Sequence, residues 1–204
     1  MGCTASRQPD LFALASSAES IDGLKAALSD APLRRAIDNK DDKQWTALNH
    51  AVHAGNLGGV EALLKCGASV ATRSSVGSTP LHFACLYGHE DIAALLISEG
   101  ADIRATCNGG GMALDCACSG GHLAIVNLLL DKGADINYSD HDLMTPLHCA
   151  CESGVLPLCE LLLQMGADPQ ICNAEGKTPL ECLEDAQARA SMKELFKQAV
   201  SNKA

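Results

Sequence analysis

Apolar residues occur in this chain as short blocks set between glycines, and each block reads as two helices joined by a turn. Residues 79–102 show the pattern clearly. Thr79 precedes Pro80, and Leu81 and Ala84 follow three positions apart. A threonine there can accept hydrogen bonds from the first unpaired amides of a helix. Proline suits the first helical turn, where its missing N–H would find no partner anyway. Leu81 and Ala84 then share an inward face. Gly88-His89 predicts a tight turn, and Leu95, Leu96 and Ile97 supply the apolar face of a second helix. Gly100 ends that helix, because glycine takes the left-handed conformation with little strain.

The blocks return every 33 residues. Thr46-Ala47-Leu48-Asn49-His50-Ala51 aligns with Thr79-Pro80-Leu81-His82-Phe83-Ala84 and with Met112-Ala113-Leu114-Asp115-Cys116-Ala117. Thr145-Pro146-Leu147-His148-Cys149-Ala150 and Thr178-Pro179-Leu180-Glu181-Cys182-Leu183 continue the series. A second column keeps the same step through Gly67-Ala68-Ser69, Gly100-Ala101-Asp102, Gly133-Ala134-Asp135 and Gly166-Ala167-Asp168. Two columns advancing together without an insertion predict a stack of like units with one shared core.

The Thr-Pro-Leu-His, Gly-His, Leu-Leu-Leu and Gly-Ala-Asp elements at this period resemble the ankyrin repeat over residues 41–183. The resemblance implies an all-α solenoid of helix–turn–helix units, each with a β-turn finger, stacked into a slightly curved array. The expected organisation is a flexible tail at 1–8, a capping repeat at 9–40, repeats at 41–73, 74–106, 107–139 and 140–172, and a capping repeat at 173–204. Residues 9–40 predict two helices, started by Asp10 and Ser20. At the other end Leu195 and Phe196 stand where Leu162 and Leu163 place inward residues, while Lys193, Glu194, Lys197 and Gln198 coat the outside. Polar-faced end units keep such a stack soluble. The unit at 107–139 departs from the pattern: Met112-Ala113 replaces Thr-Pro, and Gly109-Gly110-Gly111 precedes the helix. It is expected to lose a helix cap worth about 1 kcal/mol and to gain backbone freedom.

Composition narrows the function. The 204 residues are 47% hydrophobic but only 3% aromatic, which fits thin layers of alanine and leucine. The net charge of −10 opposes binding to phosphate backbones, so nucleic acid is not an expected partner. No apolar run approaches the roughly 18 residues of a membrane span. No Ser or Cys nucleophile stands with a His and an Asp at catalytic spacing, and no phosphate-binding glycine loop occurs, so no enzyme and no cofactor are expected.

Eleven cysteines invite a metal or redox reading. Cys85, Cys118 and Cys151 form one column, and Cys116, Cys149 and Cys182 another. Residues i and i+2 on a helix point about 200° apart, so Cys116-Ala117-Cys118 does not close one tetrahedral site. Helices in neighbouring units lie about 8–10 Å apart. That exceeds the usual Cα separation of a disulfide, about 4.4–6.8 Å. Both columns are expected to fill the core as small hydrophobes, with a metal or redox sensor as a weak alternative.

In the ankyrin family the finger tips and the exposed ends of the first helices form a concave recognition face. The resemblance places there Asp42, Lys43 and Trp45, then Val76 and Ser78, then Asn108, then His141, Asp142 and Met144, then Glu175 and Lys177. The helix-end positions are His53, Leu86, Tyr87, Ser119 and Glu152. Trp45 serves either as a binding hot spot or as packing against the first cap.

Met1-Gly2-Cys3-Thr4-Ala5-Ser6 matches the N-myristoylation pattern, with Cys3 placed for palmitoylation. One myristoyl chain binds membranes only marginally, with K about 10⁴ M⁻¹, so a second anchor is needed. The segment offers Arg7 alone as a basic residue, which leaves a thioester at Cys3. The expectation is a monomeric, non-catalytic adaptor for protein partners, peripheral on the cytoplasmic face of a membrane through Gly2 and Cys3. The alternative is a soluble stoichiometric regulator or assembly chaperone.

Overall fold

The computed structural model describes residues 10–17 and 20–201, the side chains of residues 33 and 34 excepted. Gly2 and Cys3 lie outside the described residues. Helices follow one another in antiparallel pairs. α1 (Leu11–Ser16) and α2 (Ile21–Leu28) form the first, followed by a short α3 (Ala31–Arg35). α4 (Ala47–His53) pairs with α5 (Leu57–Lys65), and α6 (Pro80–Tyr87) with α7 (Glu90–Ser98). α8 (Ala113–Gly120) pairs with α9 (Leu123–Asp131), and α10 (Pro146–Glu152) with α11 (Leu156–Gln164). α12 (Pro179–Cys182) and α13 (Ala186–Ser201) close the chain. Among the described residues no helix is long and apolar enough to cross a membrane.

Each pair packs on the next, so the first helices make one layer and the second helices another. α1 contacts α4, α4 contacts α6, α6 contacts α8, α8 contacts α10 and α10 contacts α12. In the second layer α2 meets α5, α5 meets α7, α7 meets α9 and α11 meets α13. The core between the layers repeats with the sequence. Leu63, Leu96, Leu129 and Leu162 are fully buried, as are Ala51, Ala84, Ala117 and Ala150. Alanine in the first-helix column lets neighbouring helices approach, and the leucines fill the space behind them.

Side chains from successive units hold the layers in register. Asn56 caps α5 by accepting from Gly59 N–H at 3.0 Å, and its amide donates to the Ala15 and Ser17 carbonyls at the end of α1. At the other end α12 is only one turn long, and Arg189 of α13 donates through Nε to its trailing Leu183 carbonyl at 3.1 Å.

Four expectations need correction. The first capping segment holds a third helix, α3, whose signal was Pro32 in its first turn. Asp10 accepts from Phe12 N–H at 3.0 Å, but the Ser20 side chain makes no capping bond. In α7 the inward stripe is Ile92, Ala93 and Leu96, with Leu95 and Ile97 only half-buried. In α13 Met192 and Phe196 are buried while Leu195 is half-buried, because this longer helix presents a rotated face to α11.

Candidate protein-interaction face

Between helix pairs the chain makes five tight turns with one hydrogen-bond plan. Asp41 N–H donates to the Trp45 carbonyl at 2.9 Å, and Gln44 N–H returns to the Asp41 carbonyl at 2.9 Å. The same two bonds recur in the turns 74–78, 107–111, 140–144 and 173–177. The opening residue braces several of these fingers. Asp140 Oδ1 accepts from Asp142 and Met144 N–H at 2.9 and 2.8 Å, and Asn173 Oδ1 accepts from Glu175 and Lys177 N–H, both at 3.0 Å. Neighbouring fingers are joined edge to edge through Asn108 N–H to Val76 O, His141 N–H to Gly109 O, and Ala174 N–H to Asp142 O. The bracing column Asp41, Asp140, Asn173 was visible in the sequence at multiples of the repeat and was not read as such.

The fourth finger residue sits in the left-handed region: Gln44 at φ 60, Gly77 at 77, Gly110 at 85, Leu143 at 57 and Gly176 at 76. Gly110 therefore answers a backbone demand, and a Cβ there would come within 2.9 Å of the His141 nitrogen. Finger 107–111 keeps both turn bonds, although the Cys107 thiol does not supply the brace of Asp140.

Histidines tie each unit to its neighbours. Thr79 N–H donates to His82 Nδ1 at 3.2 Å, and the opposite nitrogen, Nε2, meets the Gly111 carbonyl of the next finger at 3.2 Å. His148 repeats this with Thr145 N–H at 3.1 Å and the Lys177 carbonyl at 3.1 Å. A carbonyl only accepts, so both rings carry their proton on Nε2 and are neutral. Burial pushes both rings below the usual histidine range. His89 and His122 reach the other way, to the His53 and Leu86 carbonyls.

In the third unit Asp115 takes the histidine position. Its Oδ2 accepts from Met112 N–H at 2.7 Å, so the helix start keeps that bond, while the cap that a threonine side chain would supply is lost as expected. The other oxygen, Oδ1, is buried without a partner. An ionised carboxylate has no proton to offer the following finger, and burial raises the Asp115 carboxyl to about 7.

Most of the residues expected to form a recognition face lie on the surface shared by the fingers and the first-helix layer. Trp45 is half-buried at the centre of a ring cluster. Its ring lies 4.9 Å from Phe83, 5.3 Å from His50 and 5.2 Å from His53, and His53 meets Tyr87 edge-on at 4.7 Å. Trp45 thus bridges two repeats, while it is His50, not Trp45, that meets Phe12 of the first cap, at 5.4 Å. The next repeat exposes apolar side chains: Val76 at 58%, Leu86 at 38% and Tyr87 at 44% of full exposure, with Tyr87 reaching the Trp45 cluster through His53. Lys43 Nζ lies 5.8 Å from the centre of the Trp45 ring. Asp42, His53, Asn108, Ser119, His141, Asp142, Glu152, Glu175 and Lys177 are exposed, and Ser78 and Met144 are half-buried.

The cysteine columns differ. Cys85, Cys118 and Cys151 are buried core, and the Cys151 and Cys159 sulfurs lie 3.6 Å apart. Cys116, Cys149 and Cys182 are only half-buried and line the first-helix layer, where His50 and Phe83 occupy the equivalent positions. This column packs against the core without being enclosed by it, so the core-filler expectation holds for it only in part. Burial raises the Cys116 and Cys149 thiols to about 12, so at neutral pH they are neither nucleophiles nor ready metal ligands. Among the described residues no three His, Cys, Asp or Glu side chains are grouped to hold a metal.

Models of the ankyrin repeat match residues 43–75 and 142–174, and a three-copy model matches residues 66–140, together more than half of the chain. The chain belongs to the ankyrin-repeat family. This ankyrin-repeat chain is 48% identical over 63 residues to protein phosphatase 1 regulatory subunit 27 of Mus musculus, covering 31% of the chain and 41% of that protein. It is 52% identical over 52 residues to the Homo sapiens protein of the same name, covering 26% and 34%. It is 36% identical over 78 residues to a transient receptor potential cation channel subfamily A member 1 homolog of Caenorhabditis elegans, covering 37% of the chain and 6% of that protein. The ankyrin chain therefore spans less than half the length of each of these relatives.

Proposed function

We propose that this ankyrin-repeat chain is a non-catalytic adaptor that holds a protein partner on its finger-side face. The observation that carries the reading is exposed Tyr87 joined through His53 to half-buried Trp45, with Val76 and Leu86 also exposed on the repeat that carries Tyr87. Solvent-facing aromatic and aliphatic side chains beside a packed ring are the anatomy of a binding hot spot. Acylation of Gly2 and Cys3 would hold the adaptor on the cytoplasmic face of a membrane, since the pattern at residues 1–6 supplies two anchors where one is too weak. The likeness to two phosphatase regulatory subunits favours a second, narrower reading, in which the partner is a protein phosphatase 1 catalytic subunit.

Photo-cross-linking in cells separates these readings. A benzoylphenylalanine at position 87 is expected to give discrete protein adducts that the same group at position 94, on the outer side of α7, does not give. Adducts equal at both positions would end the adaptor reading. Adducts lacking the phosphatase catalytic subunit would remove only the narrower one. In the same cells, membrane sedimentation is expected to be lost with Gly2→Ala and Cys3→Ser, and unchanged sedimentation would remove the anchor.

A further inference from the structure

The finger-side face changes character along its length. Its first half carries a chain of rings, with Trp45 against Phe83 and His53, and His53 against Tyr87. Its last third is a groove of about 740 Å³ floored by Met144, Cys182 and Leu183 and walled by Asp142, Glu152, Glu175, Glu181 and Glu184. Two cations line that groove, Lys177 and Arg189, and both are engaged. Lys177 pairs with Glu175 at 2.6 Å, and Arg189 donates to the Leu183 carbonyl. Glu181 is held by Thr178 N–H and Oγ1 at 2.8 and 2.9 Å. Asp142, Glu152 and Glu184 make no side-chain hydrogen bond or close ion pair among the described residues, and although Lys177 also feels the Glu152 charge, the groove sets five carboxylates against two cations.

Resting on the adaptor reading, we infer that this face takes an extended segment of a protein partner, with an apolar anchor at Trp45 and Tyr87 and a cluster of Arg or Lys in the acidic groove. Charge complementarity selects the occupant. The excess of carboxylates over cations in the groove gains from a basic segment and repels an acidic one, and a guanidinium can bond a carboxylate through two N–H groups at once. An extended segment is the shorter one that spans both ends. The anchor and the groove are three repeats apart, about 24–30 Å at about 8–10 Å per packed helix. A strand advancing about 3.3 Å per residue covers that in roughly seven to nine residues, whereas a helix would need about twice as many.

The test is selection from a random library of 16-residue peptides on the full chain. Enriched peptides are expected to carry an aromatic or large aliphatic residue separated by roughly seven to nine positions from two or more Arg or Lys. The Asp142→Asn/Glu152→Gln/Glu184→Gln chain is expected to bind them about tenfold more weakly at low salt, and the loss should shrink as salt rises. Tyr87→Ala should weaken the same peptides without changing their salt dependence. Enriched peptides without basic residues, no enrichment, or equal binding by the neutralised chain would overturn the inference. Adducts from position 87 alongside any of these results would leave the adaptor reading standing without this partner chemistry.

Discussion

Asp115→Asn is expected to stabilise the stack by about 2–4 kcal/mol at pH 8 and by little at pH 4. The wild-type carboxyl titrates at 3.8 when unfolded and at about 7 when folded. Burial is the main cause, opposed by the Met112 N–H bond. The folded state therefore holds its proton more tightly. This favours folding fully below pH 3.8, and the contribution is lost as pH rises towards 7. The full difference corresponds to about 4 kcal/mol, an upper figure for a group that can relax. Asparagine removes the titration and keeps an oxygen for Met112 N–H. Its amide is not expected to replace the bond that His82 and His148 make to the next finger, since Asn49 at the equivalent position of the first repeat keeps both amide atoms buried without a partner, so the figure of about 4 kcal/mol is not reached in full. Urea melts of both chains between pH 4 and 8 check this: the gap should open with rising pH. Parallel curves would show that the buried Oδ1 carries no such penalty. His82 and His148 act with the opposite sign, because their folded pKa lies below 6.5. Their contribution is present above pH 6.5 and falls away below it, and it cancels in the comparison of the two chains.

Trp45→Ala and Tyr87→Ala should separate packing from recognition. Trp45 is half-buried among Phe83, His50 and His53, so its loss opens a gap between two repeats. A cost of about 2–3 kcal/mol is expected, below the roughly 3–5 kcal/mol of a fully buried tryptophan. Tyr87 is 44% exposed and keeps one edge on His53, so its removal should cost under about 1 kcal/mol in stability. Binding of the enriched peptides should fall about tenfold or more in both chains, in line with hot-spot losses. Equilibrium denaturation paired with fluorescence anisotropy reads the two effects. A Tyr87→Ala chain that binds normally would move the anchor elsewhere.

The repeat made the helix pairs legible because its apolar columns are the core columns. Leu63, Leu96, Leu129 and Leu162 are aligned in sequence and buried alike in the fold. The two ends were read less well, since α3 and α13 have no repeat to be compared with. The face was only partly legible. Register located Trp45, Val76, Leu86 and Tyr87, but not the ring contacts that join Trp45 to Phe83 across units. Phe83 and Cys116 share a helical position, and a column that mixes His, Phe and Cys carries no single chemical signature of the face it lines. The contrast between an aromatic start and an acidic end of the face was hidden for a different reason. It depends on which charges are already paired, and pairing such as Lys177 with Glu175 is a matter of geometry.

Hydrogen exchange on the full chain, alone and with an enriched peptide bound, tests the interaction face most directly. Slower exchange is predicted in the fingers at 74–78 and 140–144 and at the C-terminal ends of α4, α6 and α10. Protection confined to α5, α7, α9 and α11, with the fingers unchanged, would place recognition on the opposite layer and contradict the account.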